Sequence, residues 1–193
     1  SRSMRMKPLC LFILLLNGVA HAQDWPRWRG TNADGRWNPA GIPADFSKKE
    51  PERLWKAEIG AGFGGVTVSD GLVYVMDRQK TPQEVERVLC FHAETGKEVW
   101  QQSWEVNYGS MDYGTGPRAS VNMVDGKAYA LGATGVASCL EAKTGKVLWQ
   151  VNMVETCGAK IPTWGFAASP VIDGERVLLH VGAKDGSVIA LDK

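Results

Sequence analysis

The chain has little of what simple site chemistry needs. Its 193 residues include three histidines and four cysteines, and no two cysteines stand at the C-x-x-C spacing of a metal or redox site. Basic and acidic residues number 22 and 21, a formal charge of +1. Without a Lys/Arg stripe the electrostatic footprint of a nucleic-acid binder is missing, which excludes that class. No apolar run approaches the ~20 residues that cross a bilayer, so no membrane span is expected. The longest run, Leu9 to Leu16, follows Arg2, Arg5 and Lys7 and precedes Ala20-His21-Ala22. Basic, apolar and small segments in that order predict a secretory signal peptide over residues 1–22, cleaved near Ala22. The mature protein is then periplasmic or extracellular. Cys10 lies ahead of the apolar run and is misplaced for a lipoprotein cysteine.

What the chain does have is repetition. Residues 93–100 read AETGKEVW and residues 142–149 read AKTGKVLW. Upstream of each stands an Asp-Gly pair flanked by alternating apolar residues, at Asp70-Gly71 and Asp125-Gly126, and a third at Asp173-Gly174. Asp-Gly between such segments signals a tight hairpin, because glycine supplies the positive φ of the turn. After each hairpin come an apolar strand, a Thr-Gly turn and a strand ending in tryptophan. Four short antiparallel strands per ~45 residues is the blade of a β-propeller, here labelled A to D from the centre outward.

The second half of the repeat resembles the tryptophan-docking motif of the PQQ-like β-propeller repeat proteins, A-x-D-x-x-T-G-K-x-x-W. Thr95, Gly96, Lys97 and Trp100 match it, as do Thr144, Gly145, Lys146 and Trp149. Cys90 and Cys139 replace its alanine, and His92 and Glu141 its aspartate. The resemblance implies an all-β fold of four-stranded blades, with each tryptophan packing between neighbours. About three blades of a ring of roughly seven or eight are expected here: residues 63–104, 118–152 and an incomplete 166–193. The group includes assembly scaffolds similar to BamB and quinoprotein dehydrogenases that use PQQ and calcium.

Ahead of the blades, residues 23–62 form an N-terminal strap. Its stretch DWPRWRGTNADGRWN reads either as an aromatic and guanidinium surface for sugars or anions, or as a packed strap anchored by buried Trp25, Trp28 and Trp37. The second is preferred, because exposed tryptophans are unusual on a soluble surface. Residues 54–60, LWKAEIG, resemble a D strand with no A, B or C strand before it. They are expected to close the ring with a C-terminal partner, which makes the chain an N-terminal fragment.

Strand directions sort the connections onto two faces. The A-B and C-D turns share one and are tight; the other holds the long segments 77–84, 105–117 and 153–165. Ligands and partners gather on long loops held by a rigid scaffold, so the candidate face is the second. Its candidate residues are Tyr108, Asp112, Tyr113 and Arg118 in or just beyond the first D-A loop, and Lys160 and Trp164 in the second. Arg118 could clamp an anion or pair with Asp112, and Trp164 could stack on a ring or fill an interblade gap. Cys90 and Cys139 read as small buried residues, Cys157 as a lone loop thiol, and His92 and His180 as structural. With no acid/base or metal cluster visible, the expected function is an exported non-catalytic scaffold with no cofactor and a protein partner on the long-loop face. A carbohydrate ligand is a further possibility. The alternative is a fragment of a PQQ- and calcium-dependent dehydrogenase oxidising alcohols or sugars.

Overall fold

Each Asp-Gly pair folds the chain back on itself, and the sheets grow outward from those turns. In the computed structural model, which describes residues 23–37, 45–47, 50–184 and 186–193, the first sheet is β1 (Thr67–Ser69), β2 (Leu72–Gln79), β3 (Val85–His92) and β4 (Glu98–Glu105), antiparallel and in chain order. The second repeats it with β5 (Asn122–Val124), β6 (Lys127–Leu131), β7 (Val136–Glu141) and β8 (Val147–Asn152). After a short helix, α1 (Met153–Cys157), a third sheet holds β9 (Val171–Asp173), β10 (Arg176–Ala183) and β11 (Gly186–Asp192). The helix was not foreseen; the Asn152 side chain caps it by accepting from the Val154 amide at 3.0 Å.

The turns follow the residues that make them. Asp70 and Asp125 have φ of 50° and their glycines about as much again, the all-positive pattern of a type I′ hairpin. The third hairpin differs. Asp173 pairs with Arg176, so the turn slips by one residue onto Gly174 and Glu175, and only Gly174 has positive φ.

The shared pattern continues into the core. Tyr74 lies opposite Cys90 and Tyr129 opposite Cys139, and all four side chains are buried. Among the described residues Cys90, Cys139 and Cys157 are free thiols. Burial pushes the Cys90 thiol up to about 12, which suits packing and not reactivity. One apolar cluster lies between blades one and two, joining Tyr74, Met76, Val88, Trp100, Val121 and Leu140. Another joins blades two and three through Tyr129, Leu131, Phe166, Val177 and Leu179.

Hydrogen bonds stitch the seams with the same period. The Gly65 amide donates to Ser120 Oγ and the Ser120 amide to Ser169 Oγ, each at 2.9 Å. Thr67 Oγ1 donates to the Val121 carbonyl at 2.7 Å, and Asn122 Nδ2 to that of Pro170 at 2.8 Å. The tryptophans do likewise. Trp100 Nε1 donates to the Ala142 carbonyl at 2.9 Å, its ring against Gly145. Gly145 has φ of 72°, and a Cβ there would lie 2.5 Å from that ring. Trp149 Nε1, in the same place one blade on, is buried without a partner among the described residues.

Two expectations about residues 23–62 are corrected. Residues 54–60 form no strand; Trp55 and Ala57 pack against Val73, Val75, Leu89 and Phe91 of blade one. Trp55 is nevertheless seated on blade one as Trp100 is on blade two, Nε1 donating to the Ala93 carbonyl at 2.7 Å and the ring against Gly96. Of the three strap tryptophans, Trp28 and Trp37 are exposed, not buried anchors. Trp25 alone is fixed by backbone pairing, exchanging hydrogen bonds with Val68 at 2.9 and 3.0 Å. The Pro26 carbonyl accepts from Met123 at 2.8 Å, so the strap lies on the free edges of β1 and β5. The predicted signal peptide, residues 1–22, lies outside the described residues. Among those described, no helix is long and apolar enough to cross a membrane.

Candidate binding face

The long-loop face is organised by a buried carboxylate. Glu86, in the V-E-R-V alternation of β3, points inward with no accessible surface. Its Oε1 accepts from the Tyr108 hydroxyl at 2.6 Å and the Ala133 amide at 2.8 Å, and its Oε2 from Trp104 Nε1 at 3.1 Å. Those donors come from the first D-A loop, the B-C turn of blade two and β4, so one side chain ties three elements. Burial pushes the Glu86 carboxyl above its ordinary range, against the lowering by its three donors and by Arg118. Burial and the neighbouring carboxylate push the Tyr108 phenol up as well. Gly132 has to be glycine, because a Cβ there would sit 2.0 Å from Glu86 Oε2.

Around this pair lie further charges. The Arg78 guanidinium stacks 3.9 Å from the Tyr108 ring centroid while pairing with Glu84 and donating to the Gly114 carbonyl. Asp77, fully buried, takes two hydrogen bonds from Arg87 at 2.8 and 2.6 Å, and one from the Gly60 amide. Residues 77–79 thus belong to β2, and the connection is the shorter 80–84.

The candidate residues divide between anchors and display. Tyr108 is an anchor. Arg118 is another: it donates to the carbonyls of Gly116, Asp112 (3.0 Å) and Tyr113 (2.7 Å). Its expected partner, the Asp112 carboxylate, is replaced by that residue's backbone. Its guanidinium also lies 5.6 Å from the Phe63 ring centroid and 5.7 Å from that of Tyr108. Tyr113 and Trp164 are displayed, 72% and 63% exposed. They meet edge to face with centroids 6.4 Å apart, so the structure brings the two D-A loops together. The Asp112 amide donates to the Thr163 carbonyl at 3.1 Å, and the Phe166 amide to that of Ala133 at 2.9 Å. Between the loops opens a cavity of about 390 Å³ lined by Tyr108, Ser110, Asp112, Ile161 and Thr163. Lys160 stands apart beside a second, of about 290 Å³, with Phe166 and His180.

The docking residues lie on the opposite, tight-turn face or in the seams. Thr95 and Thr144 Oγ1 accept from the amides of Lys97 and Lys146 at 3.3 and 3.2 Å. The largest cavities open on this face, of about 460 and 780 Å³.

With this geometry in hand, a family model described as "Outer membrane protein assembly factor BamB" matches residues 42–102 and 84–193. The chain belongs to that family. Solved structures with the same fold include the quinohemoprotein alcohol dehydrogenase from Comamonas testosteroni, 24% identical with a TM-score of 0.68 over 90% of this chain and 26% of that one. A europium-containing methanol dehydrogenase is 19% identical with a TM-score of 0.65, over 90% and 30%. BamB from Moraxella catarrhalis is 20% identical with a TM-score of 0.44, over 67% and 33%. This BamB-family chain thus spans about a third or less of the length of each. No curated protein matches it.

Proposed function

We propose that the chain is part of an exported, non-catalytic propeller that acts as a protein-binding or assembly scaffold, with its partner docking on the long-loop face. The observation that carries this reading is the Tyr113–Trp164 pair, two exposed rings on loops braced by backbone hydrogen bonds. Exposed aromatic residues beside an arginine, on a surface that need not reorganise, have the composition and rigidity of interaction hot spots. The family description, an outer membrane protein assembly factor, agrees with a role in holding proteins together. Export rests on the predicted leader and is tested by the mass of the mature N-terminus at Gln23.

The alternative reading is a fragment of a PQQ- and calcium-dependent dehydrogenase. The test of the scaffold reading is photo-crosslinking from position 113 or 164 in cells exporting the full chain, with position 97 on the opposite face as control. A discrete protein adduct from the first two and not the third is expected. Absence of an adduct, together with saturable one-to-one binding of PQQ and calcium by calorimetry, would replace this reading with a dehydrogenase.

A further inference from the structure

The two seams between blades share a plan, and a comparison of their tight-turn ends exposes a difference in charge. In every blade the residue that opens the C-D turn donates its amide to the A-B turn: Ala93 to the Gly71 carbonyl, Ala142 to that of Gly126 and Lys193 to that of Glu175, each at 2.9 Å. Ala93, Ala142 and Lys193 are therefore equivalent. Asp70 and Asp125 are equivalent too, as first turn residues with φ of 50°.

At the seam between blades two and three, the Lys193 ammonium pairs with the exposed Asp125 carboxylate. That contact holds the Asp125 carboxyl below its ordinary value and the Lys193 ammonium above its own. At the seam between blades one and two, Ala142 stands where Lys193 stands. Among the described residues the Asp70 carboxylate, equivalent to that of Asp125, has no hydrogen-bond or ion-pair partner. Between them lies the cavity of about 460 Å³, lined by Asp70, Leu72, Tyr74, Met123, Ala142 and Thr144. The other charged groups facing it are Asp125, already held by Lys193, Glu141, which accepts from Thr144 Oγ1, and Lys143 on the rim.

We propose that this cavity is a binding site for the lysine side chain of a partner polypeptide, its alkyl chain against Leu72, Tyr74 and Met123 and its ammonium on Asp70. The second seam displays the same chemistry with a lysine of the chain itself. An apolar wall ending in one carboxylate selects a chain that is aliphatic along its length and cationic at its tip. Among the described residues no donor is bonded to this acid, so the ligand's charge-assisted hydrogen bond displaces no internal one. The site is on the opposite face from Tyr113 and Trp164 and does not depend on what docks there.

The test is titration of the full chain, followed by amide NMR shifts, with the capped tripeptide acetyl-Ala-Lys-Ala-amide. Saturable shifts at Gly71 and Ala142 are expected, with affinity on the order of millimolar for a single side chain. The norleucine tripeptide, which keeps the chain and lacks the ammonium, is expected to bind about tenfold more weakly, the factor a charge-assisted hydrogen bond represents. Asp70→Asn removes the charge at a positive φ that asparagine tolerates and should weaken the lysine peptide to the norleucine level, whereas Lys143→Gln should leave it unchanged or tighter. Ala142→Lys should fill the cavity, abolish peptide binding and raise the melting temperature. Equal binding of the two peptides, lysine binding that survives both Asp70→Asn and Ala142→Lys, or loss of binding in Lys143→Gln would overturn the proposal. Pentylamine binding more tightly than the peptide would overturn the polypeptide source.

Discussion

Blades one and two are near copies at their turn ends and different proteins at their loop ends. The Tyr–Cys pair sits at the same register in both. Beyond it, blade two's central hairpin stops at Leu131 opposite Ala137, then turns through Gly132 to Gly135 under Phe166. Blade one's continues past the equivalent pair, Met76 and Val88, to Gln79 opposite Val85. The added residues carry Asp77, Arg78, Glu86 and Arg87. A repeat therefore specifies a blade with only half its length and leaves the other half free to acquire chemistry. In blade one that half became a buried ionic network; in blade two it became glycine and apolar contact.

The largest expected effect strikes that network. Asp77→Ala leaves the Gly60 amide without its acceptor and the Arg87 guanidinium with Gln101 Oε1 alone, and breaking a buried pair from one side costs ~3–5 kcal/mol. Chemical denaturation should show it. If the loss is under about 1 kcal/mol, the pair is solvated like a surface salt bridge and blade one's loop end is not a core. Next comes the place where the blades touch. Gly132→Ala drives a methyl into Glu86 Oε2, an overpacking expected to cost ~1–3 kcal/mol. In a Glu86→Ala background, itself destabilised by three orphaned donors, the same glycine substitution should add little further cost.

A pH series sharpens the comparison further. Burial raises the folded-state pKa of Glu86, so its ionisation opposes folding. The stability that this group contributes is fully present below the ordinary glutamate pKa and is lost as pH rises through the raised folded value. Glu86→Gln removes that dependence, so wild type should lose stability relative to the variant over this window, read from urea midpoints between about pH 4 and 8. A difference that stays flat, or grows with pH, would mean that the three donors outweigh burial. The smallest effect concerns the tryptophans. Trp100→Phe forfeits a hydrogen bond that Trp149→Phe does not, so it should cost ~0.5–1.5 kcal/mol more.

The turn ends were legible because their signals are local. Asp-Gly and Thr-Gly declare positive φ within two residues, and the docking tryptophan follows at fixed spacing. The loop ends were not, because the partners are far apart in sequence and ordinary in type. Glu86 meets Tyr108 and Ala133 only after three elements have assembled, and V-E-R-V alternation looks the same whether its glutamate faces water or a phenol. Arg118 and Trp164 stand out in the sequence because both sit near glycines ahead of innermost strands, but what they contact, three loop carbonyls for one and the Tyr113 ring for the other, is not written there. Residues 54–60 show the limit in the other direction. Their strand-like pattern belongs to the tryptophan they carry, and only a neighbouring edge could have made them a strand.

The seam contacts also have a direction. Trp55, Thr67, Trp100 and Asn122 each reach forward from an earlier segment of the chain, and each is received by a main-chain carbonyl of the segment that follows. A carbonyl is retained whatever residue bears it; a side-chain donor is not. At these hydrogen bonds substitution acts from the upstream side, whereas the downstream side is constrained at the glycines beneath the rings, Gly96 and Gly145, and at Ser120 and Ser169, whose hydroxyls accept from the segment before them.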